Sequence, residues 1–298
     1  MPSELNSKTD AFHFNCFVLG RAQDGGVPHI GCAKACCAQA RVSGHQEFPT
    51  CLGIHDTQTD KLLLIEATPA IESQVALLRE LSGVDESHNL FDALLLTHAH
   101  IGHYAGLMQL GKECATTHEI PTYVTTRMGA FLTSNAPWSQ LVEDKNIELH
   151  IIEPSVPFSP LNGLTVEAIQ VPHREDFSDT IAFKIYGPNL TLLFVPDIDC
   201  WGDNEQLFEH LLTNVDIAYI DATFYNGREL PNRDVRSIPH PLMIDSMDIL
   251  QKFADSKPGA VRFIHLNHTN PAFNDSDIQT EIMNRGFRIA EQGDLITL

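Results

Sequence analysis

Short apolar runs that stop at polar residues recur along the chain. "FNCFVLG" (14–20), "KLLLIEA" (61–67), "DALLLTH" (92–98), "TVEAIQVPH" (165–173), "TIAFKIYG" (180–187), "TLLFVPD" (191–197), "DIAYIDA" (216–222) and "RFIHL" (262–266) each fit a buried or half-buried strand. Helical spacing appears between them. "AIESQVALLRELSG" puts Ile71, Val75, Leu78 and Leu81 on one stripe and stops at Gly83. "IDSMDILQKFADS" and "DSDIQTEIMNRG" predict two more helices, the latter capped by Asp275 or Ser276. Strands mixed with helices throughout predict an α/β sandwich. No repeat, low-complexity tract or linker interrupts the sequence, so one domain over residues 1–298 is expected. Residues 129–138 and 228–241 read as loops that wall a pocket.

The polar residues that end these runs are chemically alike. His98 follows "DALLLT", His173 follows "VEAIQVP", Asp197 follows "TLLFVP", Asp221 follows "DIAYI" and His265 falls late in "RFIHL". Ligands of open α/β sheets gather at the C-terminal ends of strands, where the loops converge. Five such placements in one chain point to a site.

Composition narrows what that site handles. The formal net charge is −20, and 43% of the residues are hydrophobic. So acidic a surface repels phosphate backbones and anionic membranes, so neither nucleic acid nor membrane is an expected partner. Seven cysteines, an odd number in a chain of this length, do not suggest a secreted disulfide framework. The first residues show no signal-peptide pattern, and no apolar run approaches the roughly 20 residues of a membrane span. A soluble cytoplasmic protein acting on a small molecule is expected, with a homodimer left open.

The chemistry concentrates in "LLLTHAHIGHYAGL", residues 94–107. His98 and His100, two apart on a strand exit, can offer two imidazole nitrogens to one ion, with His173 completing a set of three. His103 starts the next helix and faces a neighbouring position. Asp197 can bridge the two positions, and His265 can serve the second. Of the fifteen histidines, His13, His29, His45, His55, His88, His118, His150 and His210 read as structural or exposed. The "DGG" turn at Asp24 reads as structural, and Cys200 as packing.

The order His98, His100, Gly102, His103, His173, Asp197, His265 resembles the metallo-β-lactamase superfamily pattern H-x-H-x-D-H, lone His, bridging Asp, final His. The resemblance implies a four-layer αβ/βα sandwich, two mixed β-sheets flanked by helices, with the site between the sheets. "VLGRAQDGGVPHIGC", "IEATPAIESQV", "VPHREDFSDTIAFKI", "IDATFY" and "FIHLNHTNP" resemble the pyrroloquinoline-quinone biosynthesis B proteins within that superfamily. In this likeness Asp221 orients a ligand histidine, and His240 contacts substrate or donates a proton. Asn267, Thr269 and Asn270 hold His265 in a hydrogen-bonded turn. The same relatives carry C-x-C-x2-C where this chain has Cys32, Lys34 and Cys37. Two readings follow: a structural zinc on Cys32, Cys36 or Cys37 and His268, or, favoured, free cysteines in a loop with Lys34 supplying charge in the ion's place.

Gly102 is the main departure, because it removes the carboxylate of the second position. Weak occupancy of that position is expected, and Gly102→Asp is expected to strengthen it. The leading function is a metal-dependent hydrolase of a small ester, lactone, amide or phosphodiester, with one or two zinc ions and with Asp197 orienting the water. An iron-dependent oxygenase acting on an amino-acid or peptide-derived precursor is the first alternative, and a non-catalytic metal-binding protein the second.

Overall fold

Along Lys61–Ile65 successive side chains enter different cores. Leu63 and Ile65 face a core shared by two sheets, while Leu62 and Leu64 face one shared with helices. The strand Thr191–Val195 repeats this, with Leu192 and Phe194 on one side and Leu193 and Val195 on the other. Such strands read as continuous apolar runs because both faces are buried.

The computed structural model describes residues 13–85, 87–202, 205–230, 234 and 238–298. One seven-stranded sheet has the order β14 (Leu295–Thr297), β1 (Phe14–Gly20), β2 (Cys51–Asp56), β3 (Lys61–Ile65), β4 (Ala93–Leu95), β5 (Ile120–Thr125), β6 (Ile147–Ile152). The other has the order β13 (Arg288–Ile289), β12 (Val261–Ile264), β11 (Ile217–Asp221), β10 (Thr191–Val195), β9 (Ile181–Tyr186), β8 (Leu164–Gln170), β7 (Phe158–Leu161). Each is mixed. In the first, β3 to β6 pair in parallel and the rest antiparallel. In the second, β10 to β13 pair in parallel and β7 to β10 antiparallel.

Helices complete a four-layer αβ/βα sandwich. Ile71, Val75 and Leu78 of α2 (Ile71–Ser82) pack on the first sheet with Met128 and Leu132 of α4 (Thr126–Ser134) and Leu141 of α5 (Trp138–Glu143). Leu211 of α6 (Glu205–Leu212), Met247 and Leu250 of α7 (Met243–Ser256) and Ile282 of α8 (Ser276–Asn284) pack on the second. The expected helices over 70–83, 244–256 and 275–286 form. Gly83 ends α2 in the left-handed region, and Asp275 caps α8 through the amides of Asp277 and Ile278.

Three readings need correction. Residues 129–138 are not a loop; they span most of α4 and the start of α5, with the Thr125 hydroxyl accepting from the Met128 amide. Cys36 and Cys37 lie on a helix, α1 (Ala35–Ser43), rather than in a loop. Cys200 is exposed, so it does not pack. Of the loop expected over 228–241, residues 231–233 and 235–237 lie outside the described residues, as do residues 1–12 at the amino-terminal end. No helix among the described residues is long and apolar enough to cross a membrane.

The short helix α3 (Ile101–Tyr104) and the 3-10 turn that follows it (Ala105–Leu110) lie against the exit of β3. The Ala67 amide donates to the His103 carbonyl and the Gly106 amide to the Ala67 carbonyl, each at 2.8 Å. A Cβ at Gly106 would fall 2.1 Å from the Thr68 carbonyl oxygen, a backbone atom that cannot swing away. Gly106→Ala is therefore expected to destabilise the fold by about 1–3 kcal/mol, the usual cost of overpacking. Urea denaturation checks this, and an unchanged midpoint would show that the contact is loose.

Candidate metal centre

All five strand ends singled out in the sequence meet at one place. His98 and His100 leave β4, His173 follows β8, Asp197 follows β10, Asp221 ends β11 and His265 follows β12. His98, His103, His173, Asp197, Asp221, His240 and His265 are all buried. The His98 Nε2 lies 2.9 Å from His100 Nδ1, which lies 3.1 Å from His173 Nε2.

Neighbouring groups fix which nitrogens face inward. The Thr97 hydroxyl donates to Glu66 Oε1 at 2.5 Å, so toward His98 Nδ1, 2.9 Å away, it can only accept. His98 then carries its proton on Nδ1 and presents a bare Nε2. The Asp199 carboxylate accepts from His173 Nδ1 at 2.7 Å and leaves that Nε2 bare as well. Bare nitrogens repel at such separations unless a cation or proton lies between them. Donors about 2.0–2.1 Å from a tetrahedral zinc lie about 3.3 Å apart, so the spacing suits one ion.

Asp197 joins this trio to a second group. Its Oδ2 is 3.2 Å from His98 Nε2 and 2.9 Å from His103 Nε2; its Oδ1 is 3.4 Å from His265 Nδ1. Potential ligand atoms of His98, His100, His173 and Asp197 all lie within 4.8 Å of one another, as do those of Asp197, Asp221, His240 and His265. The His103 and His265 Nε2 atoms and the Asp197 Oδ1 are shut from solvent without a hydrogen-bond partner among the described residues. Buried polar atoms are rarely left so. The donor set therefore fits metal ions at both positions.

The protonation pattern differs between the groups. Burial, aided by the His103 charge, holds His98 well below the ordinary imidazole value, and burial with His173 takes His100 down to about 4. Both are neutral near pH 7 and ready to bind. For His103, burial is outweighed by Glu66 and Asp197, which hold it well above the ordinary value. For His265, burial is outweighed by Asp197 and the Asp221 and Asp24 contacts, which raise it to about 10. His240 is raised against its burial by Asp221, whose Oδ2 lies 2.7 Å from His240 Nδ1. Asp221 falls to about 2 because His240 and His265 outweigh its burial, and it also accepts from the Ile198 amide and the Thr223 hydroxyl.

Several residues at the centre were not singled out from the sequence. Glu66 is wholly buried, binds Thr97 and lies 3.3 Å from His103 Nδ1. Its signal was the one that marked the others, an acid ending an apolar run. Thr223 donates to Asp221 and lies 3.1 Å from the Nδ1 of both His240 and His265. Glu66 and His265 both have positive φ, 81° and 62°, which non-glycine residues seldom adopt. The turn after His265 is held as expected: Asn267 accepts from Thr269, and Asn270 donates to the Ala222 carbonyl at 2.8 Å.

Asp24 and Gly102 depart from their readings. Asp24 is not merely part of a turn: its Oδ1 lies 3.5 Å from the Nε2 of His103 and of His265. A Cβ at Gly102 would fall 2.1 Å from that same oxygen, so Gly102→Asp would collide with Asp24 instead of filling a gap.

The cysteines form a separate group. Cys32, Cys36 and Cys37 lie within metal-ligand reach of one another, whereas His268 is outside that set and stacks on His29. Lys34 does not enter the cluster; its Nζ donates to the Glu229 carbonyl at 3.3 Å. Burial pushes the Cys37 thiol up to about 11. His29, read as structural, therefore borders the cluster, its amide donating to Cys37 Sγ.

Comparison with known proteins agrees with this architecture. Residues 62–266 match the sequence model of the beta-lactamase superfamily domain. The coenzyme PQQ synthesis protein B of Methylorubrum extorquens is 25% identical over 303 residues, covering 93% of this chain and 97% of that protein. Among solved structures, zinc-bound PqqB from Methylobacterium extorquens has a TM-score of 0.80 at 22% identity, covering 95% of this chain and all of that one. A diphosphatase of the PhnP family has a TM-score of 0.70 at 20% identity, covering 96% and 97% of the two chains. With the family match spanning most of the sequence and the sandwich built as its members build it, this chain belongs to the beta-lactamase superfamily.

Proposed function

We propose that the protein is a metal-dependent hydrolase of a small ester, lactone, amide or phosphodiester. The carrying observation is the convergence of three imidazole nitrogens, on His98, His100 and His173, beside a carboxylate, Asp197, that also faces His103 and His265. Zinc at this centre would supply a Lewis acid and a water of lowered pKa. Asp197 is held ionised by the surrounding histidines, which outweigh its burial, so it can accept a hydrogen bond from that water and orient it. His240, propped by Asp221 and protonated to higher pH than free imidazole, would give a proton to the leaving group. Thr97, Glu66 and Asp199 hold the ligand imidazoles in their tautomers. The diphosphatase likeness supports hydrolysis at the level of fold. A small substrate in a cytoplasmic setting suits the acidic surface.

A second reading has one observation in its favour. A centre of imidazoles and carboxylates accepts iron as well as zinc, and the relatives named for PQQ synthesis take part in building a cofactor. Iron-dependent oxygenation of an amino-acid or peptide-derived precursor would then be the reaction.

Elemental analysis of protein purified without air or chelators separates the two. Zinc at about one to two equivalents per chain, with turnover of an ester, lactone, amide or phosphodiester, is the expected result. Iron without zinc, together with oxygen uptake, would replace it by the second reading. His98→Ala and His173→Ala should each abolish the first ion and lower turnover by about a hundredfold or more. Unchanged metal content in both variants would remove those residues from the site.

Proton release distinguishes the two positions. His265 is protonated below about pH 10 in the metal-free protein and must lose its proton to bind, so second-position affinity should fall as pH drops through that range. His100, with its value near 4, has no proton to lose at pH 7, so its own binding to the first ion should release none. Calorimetry in buffers of different ionisation enthalpy measures both, and equal pH slopes at the two positions would contradict this protonation pattern.

A further inference from the structure

The sequence loses a carboxylate at Gly102, but the space at Gly102 is filled. A Cβ there would lie 2.1 Å from Asp24 Oδ1, 2.5 Å from its Cγ and 2.7 Å from its Cβ. The Asp24 carboxylate thus occupies the volume that a side chain at position 102 would need. It arrives from the turn after β1, in a different part of the chain.

Three observations show that the turn presents this oxygen to the second position. First, Asp24 Oδ1 lies 3.5 Å from His103 Nε2 and 3.5 Å from His265 Nε2, and these three atoms form a group with metal-ligand spacing. Second, all three are shut from solvent with no hydrogen-bond partner among the described residues, although the Asp24 side chain as a whole is half exposed. Charged hydrogen bonds close to about 2.7–2.9 Å. A separation of 3.5 Å, without hydrogen-bond geometry, suits instead three donors about 2.0–2.2 Å from one ion.

Third, the turn is tied to the strand end that carries His265. The Gln23 amide donates to the Leu266 carbonyl at 2.8 Å and the Leu266 amide to the Arg21 carbonyl at 2.9 Å. The Asn267 side-chain amide donates to Gln23 Oε1 at 2.6 Å. The Gly26 amide closes the turn onto the Gln23 carbonyl, with Gly26 at φ 63°. Asp24 is thereby fixed in register with His265.

We propose that Asp24 is the carboxylate ligand of the second metal position, replacing the acid absent at Gly102. The inference rests on the metal-centre reading above and adds a ligand to it. The second position then has His103, His265 and Asp24, with Asp197 Oδ2 2.9 Å from His103 Nε2, and is not the depleted one that Gly102 alone suggests. The glycine is required by the exchange, because any side chain at 102 would displace the Asp24 carboxylate.

Metal content after dialysis of the metal-free full-length chain against zinc tests this, with circular dichroism as the check on folding. The wild-type chain should retain about two equivalents and Asp24→Ala and Asp24→Asn about one. Asp24→Asn keeps the shape of the side chain, so its loss of an ion would not reflect misfolding. Gly102→Asp should retain no more metal than the wild type. The double variant Asp24→Ala with Gly102→Asp should regain the second ion, the acid having returned to the vacated volume. Asp24 variants that keep both ions, or a double variant that folds but stays at one, would overturn the proposal. A wild-type chain that retains a single ion would overturn it too, while leaving the first position intact. A wild-type chain that takes up no ion would instead overturn the metal-centre reading itself.

Discussion

A buried negative charge at Asp197 organises this molecule. A carboxylate so deep in a protein is costly unless cations or donors surround it. Here His98 and His103 come to it from one sheet and His265 and His240 from the other. To satisfy one carboxylate, strand ends from both halves of the sandwich must meet at one edge. The left-handed backbone at Glu66 and His265 is a local cost of that meeting.

The residues around the centre act largely by controlling protons. Glu66 accepts a hydrogen bond from the Thr97 hydroxyl, Thr97 in turn accepts from His98 Nδ1, and Asp199 accepts from His173 Nδ1. Each step turns a nitrogen lone pair inward. Asp221 and Thr223 do comparable work behind His240 and His265. Two histidine populations result, one neutral near pH 7 and one holding protons against the carboxylates.

Most of the scaffold was legible in the sequence. β8, β10, β11 and β12 are rich in buried apolar residues, and each ends near a residue of the centre. Elements with weaker patterns escaped. β6, "IELHII", is only partly buried, and β7, "FSPL", carries Pro160 on a sheet edge, where a missing backbone donor is tolerated. The reading of residues 129–138 as a loop failed because the Thr125 cap and the Met128 and Leu132 stripe went unnoticed. Ligand types were readable at strand ends, but Asp24 was not. It lies in a turn far from the histidine motif, and only backbone pairing with Leu266 brings it there. The family match itself begins at residue 62, beyond that turn.

The two sheets mirror each other in strand order, and the centre draws on both. An ion shared through Asp197 would therefore work as a rivet between the half-sandwiches. Ligand that binds only the folded state adds its binding free energy to the fold. The chain would then report metal depletion as loosening along the seam where its halves meet, with the β1 turn, the part most remote in sequence, released alongside the motif helix.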